Sequence, residues 1–171
     1  KSLGNDRNAA VLLSKIGDMY DYQKDYNQAV IHYLQALAID ENLKYRENIA
    51  LKFNDIGKVY EKRGRYNEAY DYYLLASKRN KKNDKKIKIS ENLRNIGRTL
   101  MKLKKYDESV KYYKRALTID KELKNNLLLT DDNKSIGEAY LKQGNYVNAE
   151  KYLNVALKTV GKVKEFSPHK L

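Results

Sequence analysis

Apolar side chains recur along this chain at the spacing of helix faces. Leu13, Ile16 and Tyr20 lie at positions i, i+3 and i+7, which fall on one side of an α-helix. Ala29 and Tyr33 lie four residues apart and mark one face of a second helix. Alternation of apolar and polar residues over strand-length segments is hard to find. The pattern therefore predicts an all-α fold built from consecutive amphipathic helices.

The same positions return every forty residues. Four Ile-Gly pairs mark the period: Ile16-Gly17, Ile56-Gly57, Ile96-Gly97 and Ile136-Gly137. A small residue follows each glycine after twelve positions: Ala29, Ala69, Ser109 and Ala149. A period of this size is typical of stacked repeat arrays, in which each repeat packs mainly on its neighbours. We expect four repeats, at about residues 9–40, 49–80, 89–120 and 129–160.

The repeated glycines are interpreted as packing residues. Glycine in the middle of a helix costs about 1 kcal/mol relative to alanine, so four glycines in register need a structural reason. We expect them to let two helix backbones approach closely, opposite Ala29 and its equivalents. Gly64 and Gly144 fall where first helices should end, as C-cap glycines do.

The fourth repeat and the two ends depart from the pattern. Asp131, Asp132 and Asn133 replace apolar positions, so the first helix of this repeat is expected to start late, near Thr130.

Residues 1–8 are expected to end a preceding repeat, because Leu3 aligns with Leu43. Residues 161–171 are expected to form a C-terminal tail or the start of a further helix. Since the chain does not begin with methionine, we interpret residues 1–171 as a single array taken from a larger protein.

These spacings resemble the tetratricopeptide repeat. That family has a large residue, Leu-Gly and Tyr, followed by Ala-x3-Phe and a late proline. The first repeat of this chain has the corresponding residues Leu13-x2-Ile16-Gly17-x2-Tyr20 and then Ala29-x3-Tyr33. The late proline is absent, and the period is forty rather than thirty-four residues. The resemblance implies a right-handed superhelix of antiparallel helix pairs, an α-solenoid.

In this family the first helices line a concave groove that binds protein segments. The resemblance places six candidate binding residues there: Asn54, Lys58, Arg94, Arg98, Met101 and Lys134. Arginine pairs suit bidentate recognition of carboxylates, and asparagine can hold an extended peptide backbone because it both donates and accepts. The expected partner is a protein or peptide with acidic groups. The alternative is that these residues form the solvated polar face that every such array has.

The forty-residue period also resembles repeats of bacterial signalling proteins, namely sensor histidine kinases and transcriptional regulators of the Bacteroidetes type. This resemblance implies a sensory or regulatory interaction region joined to an effector domain. A free-standing adaptor and a peptide receptor of the same fold are the alternatives. Self-association through apolar end faces is a further expectation. The sequence leaves the cytoplasm and the periplasm equally open.

Composition narrows the chemistry. The net charge of +13 and the pI of about 9.6 leave nucleic-acid binding as a minor alternative, with Lys78–Lys88 as the basic segment concerned. The sequence has no cysteine, no metal-ligand spacing and no phosphate-binding glycine loop. Its carboxylates are expected at solvated positions with ordinary pKa values. We therefore expect no enzymatic activity, no cofactor, no metal site and no membrane span.

Overall fold

The computed structural model describes residues 3–82 and 85–165. This part of the chain forms eight helices: α1 (Leu3–Tyr22), α2 (Tyr26–Asn42), α3 (Arg46–Lys62), α4 (Tyr66–Lys82), α5 (Lys86–Lys102), α6 (Tyr106–Glu122), α7 (Asn126–Lys142) and α8 (Tyr146–Glu165). The helices from α2 to α7 have 17 residues each, and three residues separate each helix from the next. Two such helices and two such turns make up the forty-residue period. The predicted all-α fold of consecutive helix pairs is confirmed.

The described turns share one way of closing a helix. At the end of α1 the N–H of Asp25 donates to the carbonyl of Tyr20 at 2.9 Å. The N–H of Lys24 donates to the carbonyl of Asp21 at 3.1 Å, and the two bonds together form a Schellman motif. The residue after the C-cap takes a left-handed backbone, with φ between 52° and 76°, at six positions: Lys24, Lys44, Gly64, Lys104, Lys124 and Gly144. The two expected C-cap glycines are confirmed, and four lysines adopt the same conformation.

The helices form two compact units, Lys1–Lys85 and Lys86–Leu171, which we call unit 1 and unit 2. In unit 1, α1 pairs with α2, α3 pairs with α4, and α2 also packs against α3. In unit 2, α5 pairs with α6, α7 pairs with α8, and α6 packs against α7. We use "junction" for the packing of a second helix on the first helix of the next repeat, as in α2–α3 and α6–α7.

Apolar side chains fill both junctions. The buried cluster of unit 1 comprises Ala29, Val30, Tyr33, Leu37, Ile49, Phe53, Ile56, Val59 and Ala76. The buried cluster of unit 2 comprises Val110, Tyr113, Leu117, Ile136 and Ala139. Removing apolar area from water stabilises the fold by roughly 25 cal/mol per Å². The repeated apolar positions of the sequence are therefore the positions that hold consecutive repeats together.

The repeated glycines make room for a side chain of the paired helix. A β-carbon added to Gly17 would lie 2.7 Å from Cε1 of Tyr33, and one added to Gly97 would lie 2.8 Å from Cδ1 of Tyr113. In the last repeat a leucine replaces the tyrosine, and Gly137 faces it in the same way. The close approach expected opposite Ala29 is present at its equivalents: Oγ of Ser109 donates to the carbonyl of Gly97 at 2.8 Å, and the carbonyl of Ala149 lies 3.3 Å from a β-carbon added to Gly137. The glycine mainly accommodates a ring or a leucine four residues further along the second helix.

The helix boundaries correct three expectations. Helix α1 runs unbroken from Leu3, so residues 3–8 belong to the first helix of the first repeat and not to a preceding repeat. Helix α8 continues to Glu165, so residues 161–165 extend it. Helix α7 begins at Asn126, ahead of the predicted start near Thr130, because the side chain of Asn125 accepts a bond from the N–H of Leu128 at 3.3 Å. Residues 1–2 and 166–171 lie outside the described part.

Candidate functional site

A half-open cavity of about 330 Å³ lies between three helices of unit 2. Helix α5 contributes Arg98, Met101 and Lys102. The remaining lining residues come from α6 and α7: Tyr106, Tyr113, Ser135, Glu138 and Lys142. These positions follow from the repeat register, since the lining residues of α5 and α7 come from the two first helices of the unit. The cavity therefore lies between the first helices of two consecutive repeats, beside the second helix that connects them.

Positive charge predominates around this cavity. Arg98, Lys102 and Lys142 supply three cations, and Glu138 supplies one carboxylate. All four side chains are exposed. The guanidinium of Arg98 donates to Oδ1 of Asn95 at 3.1 Å, which orients it along α5. The arrangement can receive a carboxylate or another anionic group, because charge-assisted hydrogen bonds from Arg and Lys are stronger than neutral ones.

The cavity also has an apolar surface. Met101 is partly buried and packs against the core cluster of unit 2. The ring of Tyr113 is buried in that cluster. A methionine side chain is flexible and polarisable, so it can adapt to side chains of different shape. The cavity thus combines cations that attract an acidic group with an apolar surface that a neighbouring hydrophobic residue can cover.

The candidate residues of unit 1 offer a ligand less accessible polar surface and less positive charge. Asn54 was expected to hold a peptide backbone, but its side chain is buried. Lys58 is exposed, and its ammonium group lies 3.9 Å from a carboxylate oxygen of Asp55 on the same helix. An exposed pair at this distance is weak. Even so, the nearby carboxylate lowers the positive potential that Lys58 would offer to an acidic partner.

Acidic side chains accompany the first helix of unit 1. The hydroxyl of Tyr33 donates to Oδ1 of Asp18 at 2.6 Å. Burial, that hydrogen bond and the nearby carboxylates raise the pKa of Tyr33 far above its ordinary value. Asp21 accepts from the ammonium of Lys62 at 2.5 Å. The basic groove expected for the central repeats is therefore not a property of unit 1.

Arg94 serves a different role from the one expected. Its guanidinium forms an ion pair with Asp120 and lies 3.5 Å from Oδ1 of Asp132. Ser90 donates to Asp120 at 2.6 Å in the same cluster. Both carboxylates are fully buried, and the Arg94 side chain is mostly buried. Arg94 thus bridges α5, α6 and α7 from inside, and its prediction as a groove residue that contacts the partner is corrected.

The two buried carboxylates outnumber the single guanidinium between them. Burial, a hydrogen bond to Asp120 and the charge of Asp120 raise the pKa of Asp132 to about 7, although Arg94 opposes the shift. The pair therefore holds a proton at pH values where exposed aspartates are ionised. This corrects the expectation that all carboxylates are solvated with ordinary pKa values.

The buried acids were indicated by a signal in the repeat alignment. Asp40 and Asp120 occupy equivalent positions two repeat periods apart, and both are fully buried. Asp132 is the equivalent of Lys52, which is also buried. Polar residues that recur at a position facing the next repeat point to a buried polar contact at the junction. This recurrence is visible only when the repeats are aligned, and the sequence of a single repeat does not reveal it.

The other predicted residues fall beside the cavity or within it. Arg98 and Met101 line it. Lys134 is exposed, and its ammonium lies 3.9 Å from the cavity residue Glu138. Of the six predicted binding residues, the structure brings Arg98 and Met101 together at one cavity. Lys102, Lys142 and the two cavity tyrosines were not predicted, because nothing in the sequence marks which exposed cations of successive helices face each other.

The basic segment Lys78–Lys88 is partly neutralised by carboxylates. Three ammonium groups form ion pairs: Lys85 with Glu47 at 2.7 Å, Lys86 with Glu122 at 3.0 Å and Lys88 with Glu91 at 2.9 Å. Each pair is exposed and contributes little to stability. Together they reduce the charge that this segment can offer to phosphate groups. The segment therefore gives the nucleic-acid alternative little support.

Residues 3–82 and 85–165 contain neither a metal-binding cluster nor a candidate membrane span. No group of three or more His, Asp or Glu side chains there is arranged to hold a metal ion. Among the helices in these ranges, none is long and apolar enough to cross a membrane.

Comparison with protein families identifies the repeat. A family model described as tetratricopeptide repeat matches residues 48–122 and 88–162, and a second model with the same description matches residues 10–43. The matches together cover most of the chain. No curated protein sequence matches it.

Solved structures share the fold at low sequence identity. BtubC (BKLC) from P. vanneervenii has a TM-score of 0.84 at 19% identity, over 95% of this chain and 67% of that one. Aspartyl phosphate phosphatase F from Bacillus subtilis has a TM-score of 0.83 at 18% identity, over 94% of this chain and 42% of that one. A Rap protein complexed with Competence and Sporulation Factor has a TM-score of 0.76 at 19% identity, over 91% and 43%. The chain thus spans less than half of the last two proteins.

Proposed function

Because the chain belongs to the tetratricopeptide repeat family, we propose that it is a protein-binding module without catalytic activity of its own. The partner presents an acidic segment, and the cavity of unit 2 receives it. The observation that carries this proposal is the convergence of Arg98, Lys102 and Lys142 on a cavity with a partly apolar lining. Protein interfaces commonly combine such an apolar centre with charged groups at the rim.

The chemistry of the lining defines the ligand class. Arg98 offers a planar guanidinium that can bind a carboxylate through two parallel hydrogen bonds. Lys102 and Lys142 add point charges at the same opening. Met101 supplies the apolar contact for a hydrophobic residue beside the acid. A peptide that alternates acidic and aliphatic residues satisfies both requirements.

Charge confines this interaction to unit 2. On the first helices of unit 1, Asp18 and Asp21 add negative charge, and Asp55 lies beside Lys58. An acidic segment is repelled by such groups and attracted by the cavity cations. Arg98 and Met101 therefore remain in the proposed binding set, whereas Arg94 is a structural residue.

We further propose that the module is the sensory or regulatory region of a larger bacterial signalling protein, a histidine kinase or a transcriptional regulator. The similar Rap structure, which is complexed with Competence and Sporulation Factor, gives this context its support. The alternatives are a free-standing adaptor and a peptide receptor of the same fold. A gene that joins these repeats to a kinase core or a DNA-binding domain would establish the signalling context, and a gene that encodes repeats alone would favour the alternatives.

Binding of a labelled peptide tests the proposed site. A fluorescein-labelled peptide of alternating Glu and Leu is titrated with the protein, and anisotropy gives its dissociation constant. We expect binding that weakens with added salt and is at least about tenfold weaker in the double variant Arg98→Glu, Lys142→Glu. A Gln-Leu peptide should bind much more weakly than the Glu-Leu peptide.

The matched control reverses a charge at the equivalent position of unit 1. Lys58→Glu replaces a cation by a carboxylate, as Arg98→Glu does. Lys58 lies at the equivalent position forty residues earlier. We expect it to change the dissociation constant less than about threefold. If the charge reversal in unit 1 weakened peptide binding as much as the charge reversals in the cavity, the attraction would be nonspecific. The cavity would then not be the binding site.

A further inference from the structure

A second cavity of unit 2 adjoins the one that Arg98 lines. It has a volume of about 580 Å³ and is lined by residues of the α5–α6 turn, the start of α6, the end of α7 and the α7–α8 turn. We call it the turn cavity, and we call the other the Arg98 cavity. Tyr106 and Lys142 line both cavities. A bound segment can therefore pass directly from one cavity into the other.

The turn cavity contains cations that no carboxylate neutralises. Lys104 and Lys105 come from the α5–α6 turn, and Lys142 ends α7. All three are exposed, and none forms an ion pair within the part of the chain that the structure describes. By contrast, Lys86 and Lys88 at the other end of α5 are each paired with a glutamate. The turn cavity thus offers a ligand more available positive charge than the start of α5 does.

The carboxylates of the turn cavity limit what it can hold. Asp107 accepts from Nε2 of Gln143 at 2.8 Å, a bond that joins the start of α6 to the α7–α8 turn. Glu108 is the second carboxylate of the lining, and it is exposed. Three cations against two carboxylates favour a ligand that brings a single acidic group. Apart from Tyr106 the lining is polar, so an aliphatic side chain gains little there.

Helix geometry gives the spacing of acidic groups that would reach both cavities. Lys104 follows Arg98 by six residues, which corresponds to roughly 9 Å along the helix axis at 1.5 Å per residue. An extended peptide advances about 3.3 Å per residue, and its side chains at i, i+2 and i+4 lie on one side. Acidic residues two or four positions apart therefore match this separation, because the long side chains of arginine and lysine can adjust to the difference.

We propose that the acidic segment of the partner extends from the Arg98 cavity into the turn cavity, where a second acidic residue binds Lys104 and Lys105. Acidic and aliphatic residues occupy the Arg98 cavity, and polar residues with one further acid occupy the turn cavity. Because the same segment fills both cavities, this inference rests on the proposed function. It requires that affinity depend on residues beyond the Glu-Leu stretch.

Extended peptides test the turn cavity. The short peptide is labelled Glu-Leu-Glu-Leu. One long peptide adds Glu-Ser-Ser at the carboxyl end and another adds Ser-Glu-Ser at the amino end, so that both directions of binding are sampled. Anisotropy titrations of the protein give each dissociation constant. We expect one long peptide to bind at least about fivefold more tightly than the short one, and the same extension with Gln in place of Glu to give less than about twofold.

Charge reversals at the turns identify the cavity that is involved. Lys104→Glu and Lys105→Glu should each reduce the advantage of the long peptide to about twofold or less, whereas affinity for the short peptide should change by less than about threefold. Lys124→Glu is the matched control. Lys124 is an exposed lysine of the α6–α7 turn, at the opposite end of α6, and its φ of 52° is close to the 60° of Lys104. This variant should keep the advantage that the wild type shows.

The outcomes separate this inference from the proposal on which it rests. If the short peptide binds and neither long peptide binds more tightly, the turn cavity is not used, although the Arg98 cavity still receives an acidic segment. If Lys124→Glu removes the advantage as strongly as Lys104→Glu, the gain comes from overall charge and the inference is wrong. If the Gln extension gives the same gain as the Glu extension, the second acid is not recognised. If none of the peptides binds the wild type, both proposals are wrong.

Discussion

A β-carbon added to Gly57 would lie 2.8 Å from Cε1 of Tyr73, the ring that packs against this glycine from the paired helix. Carbon atoms do not approach so closely without displacement. The ring has little room to move, because Tyr73 is fully buried and its hydroxyl donates to Glu61 at 2.8 Å. The glycine of the Ile-Gly pair is thus required by a side chain that lies sixteen residues further along.

Gly57→Ala should therefore destabilise the protein. Alanine is favoured over glycine in a helix by about 1 kcal/mol, but overpacking of a filled core costs about 1–3 kcal/mol. We expect a net loss of up to about 2 kcal/mol in the free energy of unfolding, measured by urea denaturation. Gly4→Ala is the control, because an added β-carbon there meets nothing within 4 Å, and it should not destabilise. Equal midpoints for Gly57→Ala and the wild type would contradict this account.

Replacing the turn lysines that have a left-handed backbone should stabilise the protein. Lys44 and Lys104 have φ values of 57° and 60°, a region that costs an L residue roughly 1 kcal/mol. Glycine adopts it freely, so Lys44→Gly and Lys104→Gly should each raise the free energy of unfolding by up to about 1 kcal/mol. Lys111→Gly in the exposed middle of α6 should lower it by about 1 kcal/mol. The opposite signs of the turn and helix variants in urea denaturation are the expected result.

The fold was predictable because packing constrains every repeat alike. Tyr33 and Gly17 must fit one another, and the same fit recurs with Tyr73 and Gly57, so the sequence repeats its small and large residues at forty-residue spacing. Turn geometry was less predictable. The Schellman hydrogen bonds form at Lys24 as they do at a glycine. A lysine in the sequence, however, does not predict such a turn.

The candidate site was predictable only in part, because the positions of Arg98 and Met101 hold different residues in the other repeats. Arg94 and Arg98 lie four residues apart on α5 and are indistinguishable by pattern. What separates them is Asp120, which α6 brings to Arg94 from twenty-six residues away, together with Asp132 of α7. Contacts of this kind depend on which side chains of the neighbouring helices lie close to each arginine.

The two arginines should differ sharply in their effect on stability. Arg94→Met leaves Asp120 and Asp132 buried without their cation, and breaking a buried ion pair from one side costs about 3–5 kcal/mol. Arg98→Met changes an exposed side chain and should alter the free energy of unfolding by less than about 0.5 kcal/mol. Chemical denaturation of both variants at pH 7 measures the difference. Similar losses for the two would mean that Arg94 is not the internal bridge described above.

Stability should fall as the pH rises from about 4 to about 7. The folded protein keeps a proton on Asp132 up to about pH 7, whereas the unfolded chain releases it near 3.8. Between these values the folded state binds more protons, so its free energy of unfolding decreases by up to about 1.4 kcal/mol per pH unit.

Asp132→Asn keeps a hydrogen-bonding group but removes the titration. The stability of this variant should therefore not fall with pH in this way, most clearly between pH 5 and about 7. Asp131→Asn, an exposed neighbour, should keep the slope of the wild type in the same urea series, and parallel curves for wild type and Asp132→Asn would rule out a raised pKa at this residue.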